Sequence, residues 1–151
     1  MPSASVFFGE NEFLIIPSAQ NEIGAWTDVN EPERLKWDGS SVVELGEKIL
    51  KSLTVSKNSV GPPIGQKPEV FELATGAKSW RVFAKSRQMV NIETDDQDRL
   101  QVEFWRRNAS FTYMPDPNNP KWTVKLPPDA SAEAVGGAVI QVLRAANIAG
   151  V

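Results

Sequence analysis

Three carboxylates stand within four residues at Asp95, Asp96 and Asp98, and clustered carboxylate oxygens are what hard cations such as calcium and magnesium require. The D-x-D-x-D-G order and distal glutamate of a calcium loop are missing. The cluster also lies between two alternating segments, where a solvated hairpin turn belongs. Tyr113, the lone tyrosine, could be paired with Lys36, Lys78, Lys85 or Arg87 for proton transfer or covalent chemistry. No G-x-S-x-G elbow, phosphate-cradling G-x-x-x-x-G-K or dinucleotide G-x-G-x-x-G supports such a site. The chain contains no histidine, the usual general base near neutral pH, and no cysteine to serve as nucleophile or metal ligand. The residues therefore predict neither catalytic groups, nor a metal, nor a cofactor, and describe a protein that binds rather than an enzyme.

Binding chemistry is better represented. Arg81, Lys85, Arg87, Arg99, Arg106 and Arg107 alternate with Trp80, Phe83, Phe104 and Trp105, a mixture that can track a nucleic-acid backbone while bases stack. The net charge of -3 opposes that use, and in an antiparallel sheet with one wet face such residues alternate outward as a matter of course. Glu10, Glu12, Glu22, Asp28, Glu31 and Glu33 all precede the first basic residue, Arg34, an asymmetry that favours a basic protein partner over nucleic acid. Trp26 lies amid those acids and Trp122 follows a proline-rich turn, and tryptophan is enriched among the anchors of protein interfaces. The alternative is that both indoles plug the edges of a core. Asn108-Ala109-Ser110 matches a glycosylation acceptor, which requires a secretory route. The amino-terminal residues show no basic leader and no long apolar run, so a soluble cytoplasmic protein with no membrane segment is expected.

These side chains must be positioned by a core, and 151 residues with 41% apolar composition suffice for one domain that buries about two thirds of its unfolded surface. Val6 to Phe8 and Phe13 to Ile16 read as a hairpin at the sheet's edge, joined by Gly9, Glu10 and Asn11. Pro17 to Pro32 reads as an acidic loop feeding a strand at Leu35 to Trp37. Ser41 and Glu44 have capping-box spacing, and Val42, Leu45, Ile49 and Leu53 recur at helical intervals. The glycine-proline connector Ser56 to Pro68 prevents regular structure. Alternation then predicts strands at Val70 to Leu73, Trp80 to Ala84, Val90 to Ile92, Leu100 to Phe104, Phe111 to Tyr113 and Trp122 to Leu126. A closing helix starts near Asp129 or Ser131, with Val135, Val139, Val142, Leu143 and Ala146 on its apolar face. The expected architecture is α+β: a single domain with a mainly antiparallel twisted sheet of about six strands and two principal helices packed on it. Those helices align with each other, Leu45-Gly46 with Val135-Gly136, and a glycine inside a helix marks a close approach to the sheet or the neighbouring helix.

In their order from about Leu35 onward, the helix ELGEKILKSL, the segment AKSWRVFAKSRQMVNIE, the strand LQVEFWRR and the helix AVGGAVIQVL after Pro127-Pro128 resemble the immunity proteins of bacterial contact-dependent growth inhibition systems, and the Phe13 to Pro17 strand fits the same pattern. The resemblance implies a cytoplasmic protein that binds and neutralises the toxic carboxyl-terminal domain of a cognate effector, often a nuclease, without catalysis and with no small-molecule substrate. Contacting residues vary between cognate pairs, so none carries over from the family. Local chemistry instead nominates Glu10, Glu12, Trp26, Asp28, Glu31, Glu33, Asp95, Asp96, Asp98 and Trp122 as the toxin-binding set. The alternative is a small-molecule-binding or enzymatic α+β domain whose pocket lies between helices and sheet, under the glycine-proline connector. A general adaptor, recognisable by a larger apolar patch, is the third reading.

Overall fold

Alternation along the strands divides the apolar side chains between two faces, and helices cover both. In the computed structural model, which describes residues 1–151, the elements are β1 (Ser3–Gly9), β2 (Glu12–Gln20), β3 (Trp26–Asp28), β4 (Glu33–Lys36), α1 (Val42–Asn58), α2 (Val70–Thr75), α3 (Trp80–Lys85), β5 (Gln88–Thr94), β6 (Leu100–Arg107), β7 (Tyr113–Pro115), a 3-10 turn (Pro120–Trp122), β8 (Thr123–Leu126) and α4 (Ala132–Ala145). The sheet has the order β3-β2-β1-β5-β6-β7, with β4 also on the outer side of β2 and β8 on that of β6. Every strand pair of the sheet is antiparallel. The α+β class holds, with eight strands in place of about six.

Ala4, Val6, Phe8, Phe13, Ile15, Val90, Ile92, Val102 and Phe104 point to the face covered by α1 and α4, whose Leu45, Ile49, Val135, Val139 and Leu143 complete the main core. Ser131 caps α4 by accepting a hydrogen bond from the Ala134 amide at 3.1 Å. The capping box expected at Ser41 does not form: the Ser41 hydroxyl donates instead to Asp38, at 3.1 Å, because Asp38 organises the turn before α1. Close approach at the paired glycines is borne out between the helices. A Cβ on Gly46 would lie 1.7 Å from the Ala132 carbonyl oxygen, and one on Gly136 would lie 2.1 Å from that of Val42.

Phe7, Leu14, Ile16 and Met89 alternate to the opposite face, where Val70, Phe71, Phe83, Ala84 and Tyr113 form a second, smaller core. Here the sequence reading needs correction, because Val70 to Leu73 and Trp80 to Ala84 are helical. Glu69 and Glu72 form a reciprocal capping box, Gly76 ends α2 at φ 75, and the Ser79 hydroxyl caps α3. These short helices are held by ring packing, with Phe7 to Phe83 at 4.9 Å and Phe71 to Trp80 at 5.4 Å between centroids. The β1–β2 hairpin is also not at an edge, since β1 lies between β2 and β5. Nor is the acidic segment wholly a loop: β2 continues to Gln20, and Trp26 to Asp28 pair back onto it.

Tyr113 lies in the second core and donates a 2.8 Å hydrogen bond to the Arg87 carbonyl oxygen. Burial pushes its phenol up to about 12, against the opposing influence of Arg107 and Arg87. The folded state therefore favours the neutral phenol. Its contribution to stability is complete below pH 10, the ordinary tyrosine value, and is lost as pH rises towards about 12. Because Tyr113 is the only tyrosine, its phenolate absorbance in the native protein should rise about two pH units above that of the urea-unfolded chain, with unfolding becoming easier over the same interval. A native titration midpoint near pH 10 would contradict this placement.

Candidate functional site

The helices on the second face cover only the half of the sheet towards the β1–β2 turn. The rest of that face, at the end where Ser3 pairs with Ser18 and Glu93, is left without a helix. Strand phase places Ser3 and Ser5 of β1, Ser18 of β2 and Asn91 and Glu93 of β5 on this uncovered surface, opposite the apolar Ala4, Val6, Val90 and Ile92. With Met1, Met89 and the indoles of Trp26 and Trp105 they line a cleft of about 390 Å³ in which apolar walls flank a few polar groups.

A second depression of about 600 Å³ adjoins it across Trp26, between β3, the connector and the start of α2. The connector is ordered there. Gly61 donates to the Gln20 carbonyl oxygen at 2.9 Å, and Thr27 Oγ1 donates to that of Pro62 at 2.8 Å. A Cβ on Gly61 would lie 2.3 Å from Thr27 Oγ1, so the approach requires glycine. Holding the connector against the sheet sets large apolar side chains in solvent: Ile23 is 81% exposed, Val60 71%, Ile64 68%, Leu73 54% and Trp26 46%. Ile23 sits at the tip of the β2–β3 loop, where the Asn21 side chain accepts from the Ile23 and Ala25 amides. Single exposed apolar residues are ordinary, but a group gathered around one groove and edged by carboxylates marks a binding surface. Asp28 supplies one of these carboxylates at the groove mouth. Burial against the groove walls raises its pKa from the ordinary aspartate value, the Ser18 hydroxyl opposes the shift, and nearby Glu69 reinforces it.

The nominated residues divide accordingly. Trp26 and Asp28 lie at the surface just described. Trp122 does not: its ring packs edge-on against Phe104 at 5.0 Å and closes the main core. Glu12 is occupied by a two-pronged pair with Arg34, at 2.8 and 2.9 Å, and lies 3.7 Å from the buried Arg87. Glu33 pairs with Lys51 at 2.9 Å. Asp95 organises the β5–β6 turn. Burial acts to raise its pKa, yet hydrogen bonds from the Arg99 and Gln97 amides and the Arg99 side chain outweigh it, so the carboxyl is held below its ordinary value. Asp96 and Asp98 are exposed on that turn, Glu31 is exposed between β3 and β4, and Glu10 is exposed in the β1–β2 turn. Glu10 and Glu12 lie at the far end of β1 from Trp26, about 25 Å away along the strand. The acids therefore do not converge on one patch.

The sequence reading missed Val60, Ile64 and Leu73 in the groove, Ile23 on the loop beside it, and Asn91, Glu93 and Trp105 in the cleft. A signal existed for some of them. Val60 and Ile64 stand in a segment whose glycines and prolines bar them from any amphipathic element, and Asn91 interrupts the apolar run Met89 to Ile92.

No helix is long and apolar enough to cross a membrane. The sequence matches no family model, and no curated protein matches it. Solved structures do share the fold. A protein of unknown function from Neisseria meningitidis is 16% identical, with 95% of this chain and 93% of that chain covered and a TM-score of 0.69. A chain of the CdiA-CT/CdiI toxin and immunity complex from Yersinia pseudotuberculosis is 15% identical, with 95% and 96% covered and a TM-score of 0.70.

Proposed function

We propose that this protein is the immunity partner of a contact-dependent growth inhibition toxin: a cytoplasmic inhibitor that binds the toxic carboxyl-terminal domain of a cognate effector. The observation that carries this reading is the fold shared over nearly the whole chain with a component of a toxin and immunity complex. This chain lacks histidine and cysteine, and among its carboxylates no three gather as metal ligands. It presents two adjoining depressions, each mixing apolar and polar groups, with an exposed tryptophan between them, which is the anatomy of a recognition surface. That anatomy supports the immunity role.

The net charge of -3 and the carboxylates of Asp28 and Glu93 at the surface suit a basic toxin, and a nuclease is the class the family resemblance implies. Charge then accelerates encounter and selects the partner, while the desolvated apolar anchors slow dissociation. Inhibition follows from stoichiometric occupancy, with no chemical step.

Co-expression with the toxin domain encoded beside this gene is the test. The expected result is survival of the cells and co-elution of the two chains as a stable stoichiometric complex. Death despite soluble co-expression, or separate elution at micromolar concentration, would refute the immunity role. A small-molecule screen against the groove at the connector would then follow, since that groove lies where the alternative reading placed a pocket.

A further inference from the structure

The cleft between Trp26 and Trp105 contains side-chain acceptors, at Asn91 and Glu93, that no hydrogen bond or ion pair of the chain meets. Asn91 is 7% exposed and lines it, and its side-chain amide has no hydrogen-bond partner within the chain. Its polar atoms still reach the solvent of the cleft, and leaving them unpaired becomes costly once a partner displaces that water. Beside it in the strand, the Glu93 carboxylate has no ion pair or hydrogen bond, although Ser3, its cross-strand neighbour, shares the surface. Neither lysine nor arginine lines the cleft. Its only charged groups are Glu93 and the terminal amine of Met1. Trp26 and Trp105 supply two aromatic walls, and the second is fixed in orientation because its Nε1 donates to Glu103 at 2.8 Å.

We propose that this cleft receives an arginine side chain of the toxin domain, an assignment that rests on the immunity reading above. The shape and chemistry select arginine. A guanidinium is planar and weakly hydrated, stacks on indole faces and carries five donors, enough to reach the Glu93 carboxylate, the Asn91 carbonyl oxygen and the Ser3 and Ser5 hydroxyls together. An ammonium is compact, strongly hydrated and less suited to acceptors spread over two strands. An apolar side chain would bury Asn91 and Glu93 without partners. The arginine thus fixes the register of the toxin, while the adjoining groove around Trp26 contributes apolar burial.

The experiment titrates an inactive variant of the co-encoded toxin domain into wild-type protein, Glu93→Gln and Asn91→Ala. Circular dichroism and thermal midpoints verify that each variant folds. Affinity should fall on the order of 100-fold for Glu93→Gln and about 10-fold for Asn91→Ala, chiefly through faster dissociation. Toxin arginines replaced singly by alanine should include one whose effect vanishes in the Glu93→Gln background, the mark of a direct pair in a double-mutant cycle. If wild-type protein binds but both variants bind equally well, or if the residue coupled to Glu93 is a lysine, the arginine assignment is wrong and the immunity role stands. If the wild-type protein does not bind the toxin, both are wrong.

Discussion

Gly46→Ala should destabilise the fold by about 3–5 kcal/mol, a large part of the roughly 5–15 kcal/mol typical of a domain. The added carbon would stand 1.7 Å from the Ala132 carbonyl oxygen, 2.5 Å from its carbonyl carbon and 2.8 Å from its Cα. These are backbone atoms at the start of α4, so no side chain can turn aside to make room. The helices must separate, and Leu45, Ile49, Val135 and Val139, fully buried around the crossing, lose contact with one another. Alanine's better helix propensity returns only about 1 kcal/mol. Gly137→Ala provides the control. It lies one residue beyond the contact glycine, a Cβ there meets nothing within 4 Å, and the substitution should be neutral or stabilise by up to about 1 kcal/mol. Urea unfolding of the two variants beside the wild type measures both. Equal midpoints for wild type and Gly46→Ala would show that the glycine pair does not set the helix spacing.

That pair also shows what the sequence made legible. Gly46 and Gly136 occur at equivalent places in two helices with strong apolar periodicity, and a helix pays for glycine only where something comes close, so the contact could be read before the fold was known. Long periodic elements such as α1, α4, β5 and β6 were readable for the same reason. Six residues span too few turns to settle the period. Trp80, Val82 and Ala84 alternate like a strand, yet Trp80, Phe83 and Ala84 also have helical spacing, and it is Phe83 and Ala84 that are buried. Partners that are distant in sequence decide such cases: the rings of Phe7, Leu14's side chain and Tyr113 offered a surface that a helix could cover.

The site was less legible because sequence lists charges without their partners. Glu12 and Glu33 look free in an acidic stretch, but Arg34 and Lys51 neutralise them across the fold. Asp95 appears to belong to a ligand cluster, but its oxygens are consumed by its own turn. Glu93, by contrast, carries no mark in the sequence. Its importance arises because β1 and β5 present Ser3, Ser5 and Asn91 beside it on a part of the sheet that α2 and α3 do not reach. The ends of short helices are set by caps and by tertiary packing, so the limits of that uncovered area could not be drawn from periodicity.

Trp26 and Trp122 test the division between binding and folding most sharply, because the sequence treated them alike. Trp26→Ala should abolish protection against the toxin and cost about 2–4 kcal/mol of binding, while leaving the unfolding transition nearly unchanged. Its ring is 46% exposed, stands between groove and cleft, and can therefore be desolvated from both sides by one partner. The strand that carries it is held independently, by pairing of residues 26–28 with β2 and by the Thr27 bond to Pro62. Trp122→Ala should do the reverse. Removing a ring that packs on Phe104 and covers the edge of the main core should cost about 3 kcal/mol of stability or more, and the fraction that remains folded should bind the toxin as wild type does. Urea unfolding and titration with the toxin domain separate the two effects in each variant. If Trp26→Ala binds as tightly as wild type, the toxin docks elsewhere. If it instead loses stability as Trp122→Ala does, the exposed indole is part of the core after all.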